Sequence, residues 1–490
     1  MPARSPEGGN QRAAERGVNS DVRYVSSRGE APVLGFADVL LAGLASDGGL
    51  YVPAEWPRFS PDEIRALRDR PYAEAALAVF RPFVGDEIAP AVLERMVADA
   101  YATFPHPAVA PLVQIGPKDF VLELFHGPTL AFKDVAMQML ARLMDHVLKE
   151  RGQRATIVGA TSGDTGGAAI AAFAGSERTD MFILFPKGRV SPVQQKQMTT
   201  HGAANVHAVA IDGNFDDCQA MVKAMFNDQR FRAETALSGV NSINWARIMA
   251  QITYYFTAAL SLGAPDRAVS FTVPTGNFGD IFAGYAAKRM GLPIERLVIA
   301  TNSNDILARA MASGRYETAG VTATASPSMD IEVSSNFERL LFEAGGRDAA
   351  DIRRLMANLS QSGAFTLPEA TLAAIRAEFE AGRTDETETA TTIREVLART
   401  GYLLDPHTAV GVHVASGRTG AEPMVTLGTA HPAKFPAAVA AACGTSPSLP
   451  PSHAGLMERA ENFDELPNDL ATLQRYIVAR SRAIAKGRAA

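Results

Sequence analysis

The chain is 490 residues long, with 47% apolar and 20% charged residues and a formal net charge of −6. That length leaves room for about two to four domains and a large core, and the acidic balance argues against general nucleic-acid binding while leaving a local basic pocket open. The only cysteines, Cys218 and Cys443, have no metal-type spacing, which argues against a cysteine-held metal or a stapled secreted fold and suits a reducing cytoplasm.

No apolar run reaches the roughly 18 residues needed to span a bilayer. Residues 1–22 lack the apolar core of a secretory signal, and Glu7 and Glu15 weaken a transit-peptide reading of Arg4, Arg12 and Arg16. A disordered leader is the expectation there. Residues 23–105 read as short helices and turns, an N-terminal domain, with Asp47-Gly48-Gly49 marking a tight turn.

Residues 106–345 have the pattern of an α/β core. "ATIV" (Ala155–Val158) reads as a strand, "GATSGDTGG" as a glycine turn, "AAIAAFAG" as a helix and "MFILFP" (Met181–Pro186) as the next strand. The plan recurs in "AVSFTV" (Ala268–Val273), "PTGNFGD", "IFAGYAAKRMG" and "RLVIAT" (Arg296–Thr301). Two such units predict doubly wound parallel sheet, with ligands beyond the carboxyl ends of the strands, where both glycine loops fall. Residues 346–490 read as mainly helical: "LMANLSQSG", "EATLAAIRAEFEAG" and "ETATTIREVLARTG" each end at a glycine. A strand at about 424–431 is expected to return the chain to the central sheet.

In "ELFHGPTLAFKDVAMQMLARLMDHVLKE" (Glu123–Glu150), Lys133 opens a helical pattern whose apolar stripe runs through Met137, Leu140, Leu143, Met144 and Val147. Asp134, Gln138, Arg142, Asp145 and Lys149 fall off that stripe. Lys133 itself lies on it, at the end where the helix dipole disfavours a cation. Burial and that field would both lower its pKa, as Schiff-base chemistry requires. A lysine snorkelling from a partly buried helix end is the other reading, and periodicity leaves both open.

"TSGDTGG" (Thr161–Gly167) and "TGNFGD" (Thr275–Asp280) each put unhindered N–H groups at a helix start, a site for phosphate or carboxylate. Each alone also reads as an ordinary tight turn. Asp164 is out of place in an anion cradle and is expected to cap its own helix, turned away from the ligand. Neither loop is a P-loop, a dinucleotide fingerprint or a nucleophile elbow. Two anion cradles and an activated lysine together suit pyridoxal phosphate.

"HGPTLAFKD" (His126–Asp134) resembles the cofactor-lysine motif of the threonine synthase family, within the fold-type II pyridoxal-phosphate enzymes. "YVSSRG", "DGGLYVP", "TSGDTG", "FPKGRVSPVQQKQM", "NSINWARI", "PTGNFGD", "SPSMDI", "DPHTAVG" and "TAHPAKF" resemble that family too, in its order, from residue 24 to 435. They are similar to the longer microbial form with an N-terminal domain; Ser27 stands where that family has threonine.

The resemblance implies that Lys133 holds the cofactor aldehyde and acts in catalysis. It implies that Gly276, Asn277, Phe278, Gly279 and Asp280 form the cofactor phosphate loop and that Thr429 lies at the pyridine nitrogen. It places the substrate carboxylate at Ser162 and Thr165. The implied substrate is O-phospho-L-homoserine, whose phosphate needs donors; Lys187, Arg189, Ser191, Asn244 and Arg247 are the candidates, although a surface role fits Arg189 equally. Asn244 and Arg247, three residues apart, share a helix face. His126 and His407 are weighed as acid–base groups, with structural roles the more common outcome. The implied activity is γ-elimination of phosphate and β-addition of water to give L-threonine, in the cytoplasm, by a monomer or homodimer without nucleic-acid or membrane partners. The alternatives are a pyridoxal-phosphate phospho-lyase, a threonine or serine dehydratase, and a non-catalytic binding relative.

Overall fold

The computed structural model describes residues 22–418 and 420–484, so the leader expected over residues 1–22 lies, apart from Val22, outside the described residues. The two strand–glycine loop–helix units fall in different sheets. Ala155–Ala160 and Thr179–Pro186 belong to a five-stranded, all-parallel sheet ordered Asp464–Pro467, Val206–Asp212, Thr179–Pro186, Ala155–Ala160, Leu237–Ser238. Val269–Pro274 and Ile294–Thr301 belong to a six-stranded sheet ordered Phe379–Arg383, Ile294–Thr301, Val269–Pro274, Met424–Gly428, Asp119–Glu123, Leu112–Gln114. Its pairings are parallel except at the Leu112–Gln114 edge. Every residue of Thr179–Pro186 and Val269–Pro274 is buried, which is why these strands read as continuous apolar runs rather than alternating ones.

Met424–Gly428 pairs with Val269–Pro274 on one side and Asp119–Glu123 on the other, so a late segment supplies an inner strand. The helix read through "EATLAAIRAEFEAG" stops at Glu378, and Phe379–Arg383 is instead an edge strand beside Ile294–Thr301. Ladder pairing there overrides helical spacing. The other two helices of that stretch, Ala349–Ser362 and Glu386–Thr400, end at Gly363 and Gly401, both with the positive φ that suits glycine. In the N-terminal part, helices Phe36–Ala42, Tyr72–Val84 and Pro90–Tyr101 accompany a ribbon of Tyr24–Ser26 against Tyr51–Pro53. Strands of three residues are too short for alternation to reveal.

The lysine helix, Lys133–Glu150, is buried far beyond its apolar stripe: Asp134 and Gln138 are enclosed along with Met137, Leu140 and Met144. It packs against Pro90–Tyr101, Asp164–Phe173 and Trp245–Ser261, so it has no fully solvated face. Among the described residues no helix is long and apolar enough to cross a membrane.

Candidate active site

Three adjacent strands of the six-stranded sheet deliver the site. Asp119–Glu123 leads to the loop before Lys133, Val269–Pro274 leads to Gly276–Gly279, and Met424–Gly428 leads to Thr429. Beyond the sheet the first and last of these segments are stitched together. Phe132 N donates to Thr429 O at 2.9 Å, His431 N to Leu130 O at 3.0 Å, and Ala131 bridges Ala430. The stitching holds Leu130 at φ +59°, a backbone conformation that side chains disfavour.

Lys133 is 8% exposed, and its amine stays inside. Nζ lies 3.4 Å from Ser328 Oγ, 3.6 Å from Asp164 Oδ2 and 4.6 Å from the centroid of the Phe132 ring. Burial lowers its pKa; Asp164 opposes that, while the charges of Lys434 and Arg247 reinforce it. Snorkelling is thereby excluded, and the amine is one that loses its proton more readily than an ordinary lysine.

Asp164 does not cap its helix and turn away. Its side chain makes no capping hydrogen bond and faces Lys133 instead. It accepts from Gln194 Nε2 at 2.9 Å and Ser328 Oγ at 3.0 Å, and Lys434 Nζ stands 3.0 Å from its other face. Burial works to raise its pKa, but the ammonium groups of Lys434 and Lys133 outweigh burial and hold the carboxyl far below the usual range. Lys434 is fully buried and also donates to Thr129 O and Gln197 Oε1. A buried cation satisfied by three acceptors thus supports the anion beside the reactive amine.

Ser328 joins this group to a second network. Its N–H donates to His407 Nε2 at 3.2 Å, so His407 must carry its proton on Nδ1, which lies 2.7 Å from Asp405 Oδ2. Asp405 also caps its helix through the N–H groups of His407 and Thr408. The Thr408 hydroxyl in turn accepts from Thr429 N at 3.2 Å. His407 thus ties the backbone at Ser328 to Asp405. His126 is held by Glu123 at 2.7 Å, and Glu123 also accepts from the Tyr402 hydroxyl, which braces the loop before the lysine.

Both glycine loops are N–H cradles. The N–H groups of Gly276, Asn277, Phe278 and Gly279 have no acceptor among the described residues. Phe278 reaches this turn at φ +64° and buries its ring against Phe337, so its backbone rather than its ring belongs to the cradle. Asn336 holds the Asn277 carbonyl, and a Cβ at Gly276 would stand 3.2 Å from backbone atoms of Ser328 and Met329. Asp280 shapes the turn, accepting from Thr275 Oγ1 and Ile281 N; burial raises its pKa. In the other loop, Thr161 Oγ1 accepts from Gly163 N and Gly166 N. The hydroxyls of half-buried Ser162 and Thr165 have no hydrogen-bond partner among the described residues. The same holds for the side chain of Thr429.

Of the expected substrate-phosphate donors, only Arg247 shares this environment. It is 4% exposed, it acts electrostatically on Lys133, and its Nε is buried without a partner. Burial brings its pKa down to about 10. The expectation that Asn244 shares its ligand is corrected: Asn244 caps the helix through Ala246 N and donates to Leu40 O at 2.9 Å. Lys187 is exposed and paired with Glu465 at 2.6 Å, and Arg189 is exposed. Ser191 is consumed by its own capping box and by Lys434 O at 3.0 Å. Neither exposed cation meets the residues around Lys133, and Ser191 and Asn244 meet that group through the backbone of Lys434 and of Arg247.

An amine, two clusters of open N–H donors and a buried guanidinium that donates to Val240 O but has no ion-pair partner among the described residues fit a phosphorylated aldehyde and an anionic substrate. Sequence reasoning missed Asp164, Ser328 and Lys434 as members of this site. The latter two stand in "SPSMDI" and "TAHPAKF", segments that carried the family resemblance without a role for either residue.

Residues 23–101 match the family described as threonine synthase N terminus, 108–385 the pyridoxal-phosphate dependent enzymes, and 408–477 the threonine synthase C-terminal family. The chain is similar to the threonine synthase of Pseudomonas aeruginosa, 54% identical over 93% of this chain and 98% of that one. The crystal structure of pyridoxal-phosphate-bound threonine synthase from Brucella melitensis superposes with a TM-score of 0.93 at 67% identity, covering 94% of this chain and all of the other. The yeast threonine synthase structure gives 0.89 at 38% identity, over 94% and 99% of the two chains.

Proposed function

The chain belongs to the threonine synthase family of pyridoxal-phosphate enzymes, and we propose that it converts O-phospho-L-homoserine and water to L-threonine and phosphate, closing threonine biosynthesis. One observation carries the reading: a buried amine, Lys133 Nζ, lies 3.6 Å from Asp164 at the meeting of two N–H cradles. The bound cofactor supplies a place for the electron pair released at the substrate Cα.

The chain's own groups do the rest. The open N–H groups of 276–279 hold the cofactor phosphate at a helix start, where the dipole favours an anion. Ser162, Thr165 and the free N–H groups of their loop take the substrate carboxylate. Arg247 meets the substrate phosphate with the only cation among the expected donors that lies near Lys133. As a neutral base, Lys133 would take the substrate Cα proton, return it to the reacting molecule, and only then take a Cβ proton. Asp164, ionised throughout, stabilises the ammonium formed each time and keeps Nζ in place. Ser328, fixed by His407, limits the directions in which that amine can swing. The dry surroundings of Lys133 strengthen each of these interactions. We place the work in a chain whose oligomeric state is a monomer or homodimer and whose location is cytoplasmic. Residues 23–105, 106–345 and 346–490 act as its N-terminal domain, cofactor-binding core and mainly helical C-terminal region.

The direct test incubates cofactor-loaded protein with O-phospho-L-homoserine and identifies products. Threonine and phosphate in equal amounts are expected. Phosphate with 2-oxobutanoate would replace the synthase by a lyase. Lys133→Ala should lose both turnover and the visible absorbance of the lysine-bound cofactor.

A further inference from the structure

The turn at 276–279 keeps its N–H groups free of any acceptor among the described residues, and the restraint that does so comes from behind it. Ser334 Oγ donates to Gly276 O at 2.5 Å. Asn336 donates to Asn277 O twice, from its backbone N at 3.0 Å and from Nδ2 at 2.9 Å. In a trans peptide unit the carbonyl and the N–H that follows it point in opposite directions. Holding Gly276 O and Asn277 O on one side therefore turns the N–H groups of Asn277 and Phe278 to the other.

What holds Asn336 is a cation. Arg339 is fully buried, and its guanidinium donates to Asn336 Oδ1, to Tyr51 O at 3.0 Å and to Ile243 O at 2.6 Å. A guanidinium can only donate, so the amide oxygen of Asn336 must face Arg339 and the amide nitrogen must face Asn277. A partner able to both donate and accept would let that amide turn over. The other two acceptors belong to the N-terminal ribbon and to the turn before helix Trp245–Ser261, so three parts of the chain meet on one side chain. Arg339 has no ion-pair partner among the described residues, because the neighbouring Glu338 carboxylate is taken by Ser27 at 2.6 Å and Arg28 at 2.9 Å. Burial brings the Arg339 pKa down to about 9, which leaves it charged at neutral pH. A buried charge without a counter-ion is costly, and this one sits two hydrogen bonds from the 276–279 turn.

We propose that Arg339 is a positioning residue for the cofactor phosphate, locking the Asn336 amide so that the N–H groups of the cradle stay aimed at the anion. The proposal rests on the reading of 276–279 as the phosphate cradle. Arg339 acts through Asn336 and touches no part of the cofactor. The residues behind the turn thus govern affinity for the phosphate group, while capture of the aldehyde belongs to Lys133.

The test strips the full-length protein of cofactor and titrates it with pyridoxal phosphate and, separately, with pyridoxal, which has the aldehyde and no phosphate. Visible absorbance of the lysine-bound form gives each dissociation constant. Wild type should favour pyridoxal phosphate. Arg339→Lys and Asn336→Ala should each cut that preference roughly tenfold, through weaker binding of pyridoxal phosphate with pyridoxal little affected. A merely structural role weakens both ligands alike, so an unchanged ratio of the two constants in either variant would overturn the proposal. Asn336→Ala leaves the buried cation in place and decides the matter if the lysine variant does not fold. With Asn336→Ala already present, Arg339→Lys should alter the ratio no further; a second, additive fall would refute action through Asn336. Equal affinity of wild type for the two ligands would overturn the cradle reading itself, and this proposal with it.

Discussion

Replacing Lys434 with methionine keeps most of the side-chain volume and deletes one buried ammonium. Breaking a buried ion pair costs about 3–5 kcal/mol when the remaining charge is left unsatisfied. Asp164 would keep Gln194 at 2.9 Å, Ser328 at 3.0 Å and Lys133 at 3.6 Å, so the loss should fall near the lower end, about 3 kcal/mol. Urea unfolding of the cofactor-free protein measures it. The second effect is at Lys133, whose pKa the Lys434 charge helps hold down. Removing that cation raises the pKa, so less free amine is present at a given pH. Lys133 captures the cofactor aldehyde only as free amine. The pH profile of cofactor uptake, followed by the visible absorbance of the loaded protein, should therefore move to higher pH, with Lys434→Arg restoring much of it. A profile that stays put while stability falls would leave Lys434 a packing residue. A profile that moves to lower pH would refute the electrostatic reasoning outright.

Asp134 offers a test of opposite character. Burial lifts its carboxyl to about 6 despite two hydrogen bonds from Thr129. Its folded pKa is raised above the unfolded value, so its stabilising contribution is complete below about pH 4 and lost as pH rises through 6. The stability difference between wild type and Asp134→Asn should fall by roughly 3 kcal/mol across that window, and a flat difference would contradict it. At Arg247, substitution by alanine removes a charged donor of about 1.5–3 kcal/mol. KM for the phosphorylated substrate should rise roughly 10- to 100-fold with a smaller change in kcat, and an unchanged KM would remove Arg247 from the substrate site.

The chemistry of this chain is legible wherever local rules suffice. A lysine on an apolar stripe at the wrong end of a helix, and glycine loops following apolar strands, are visible in windows of a few residues. The errors fall where a distant residue decides. Asp164 reads as a turned-away cap because nothing near it in sequence announces Lys434, the cation that draws it inward. Ser328 is an ordinary turn serine until the fold sets it between Lys133 and His407. Asn244 and Arg247 share a helical spacing, yet one is spent on Leu40 and the other faces Asp280 and Lys133. Phe379–Arg383 has a helical pattern until an edge of sheet recruits it. Spacing says which side chains leave an element together, not what awaits them.

The strand Met424–Gly428 has a consequence for how the protein comes into being. It separates Val269–Pro274 from Asp119–Glu123, and the residues just after it clasp the backbone on either side of Ala131. During synthesis the lysine loop leaves the ribosome when more than half the chain, including this strand, is still unmade. Pairings so distant in sequence are slow to close. A nascent or truncated chain that ends before this strand has the reactive amine without the frame that fixes it. The frame around Lys133 is thus complete only when residues 424–431 have taken their place in the sheet.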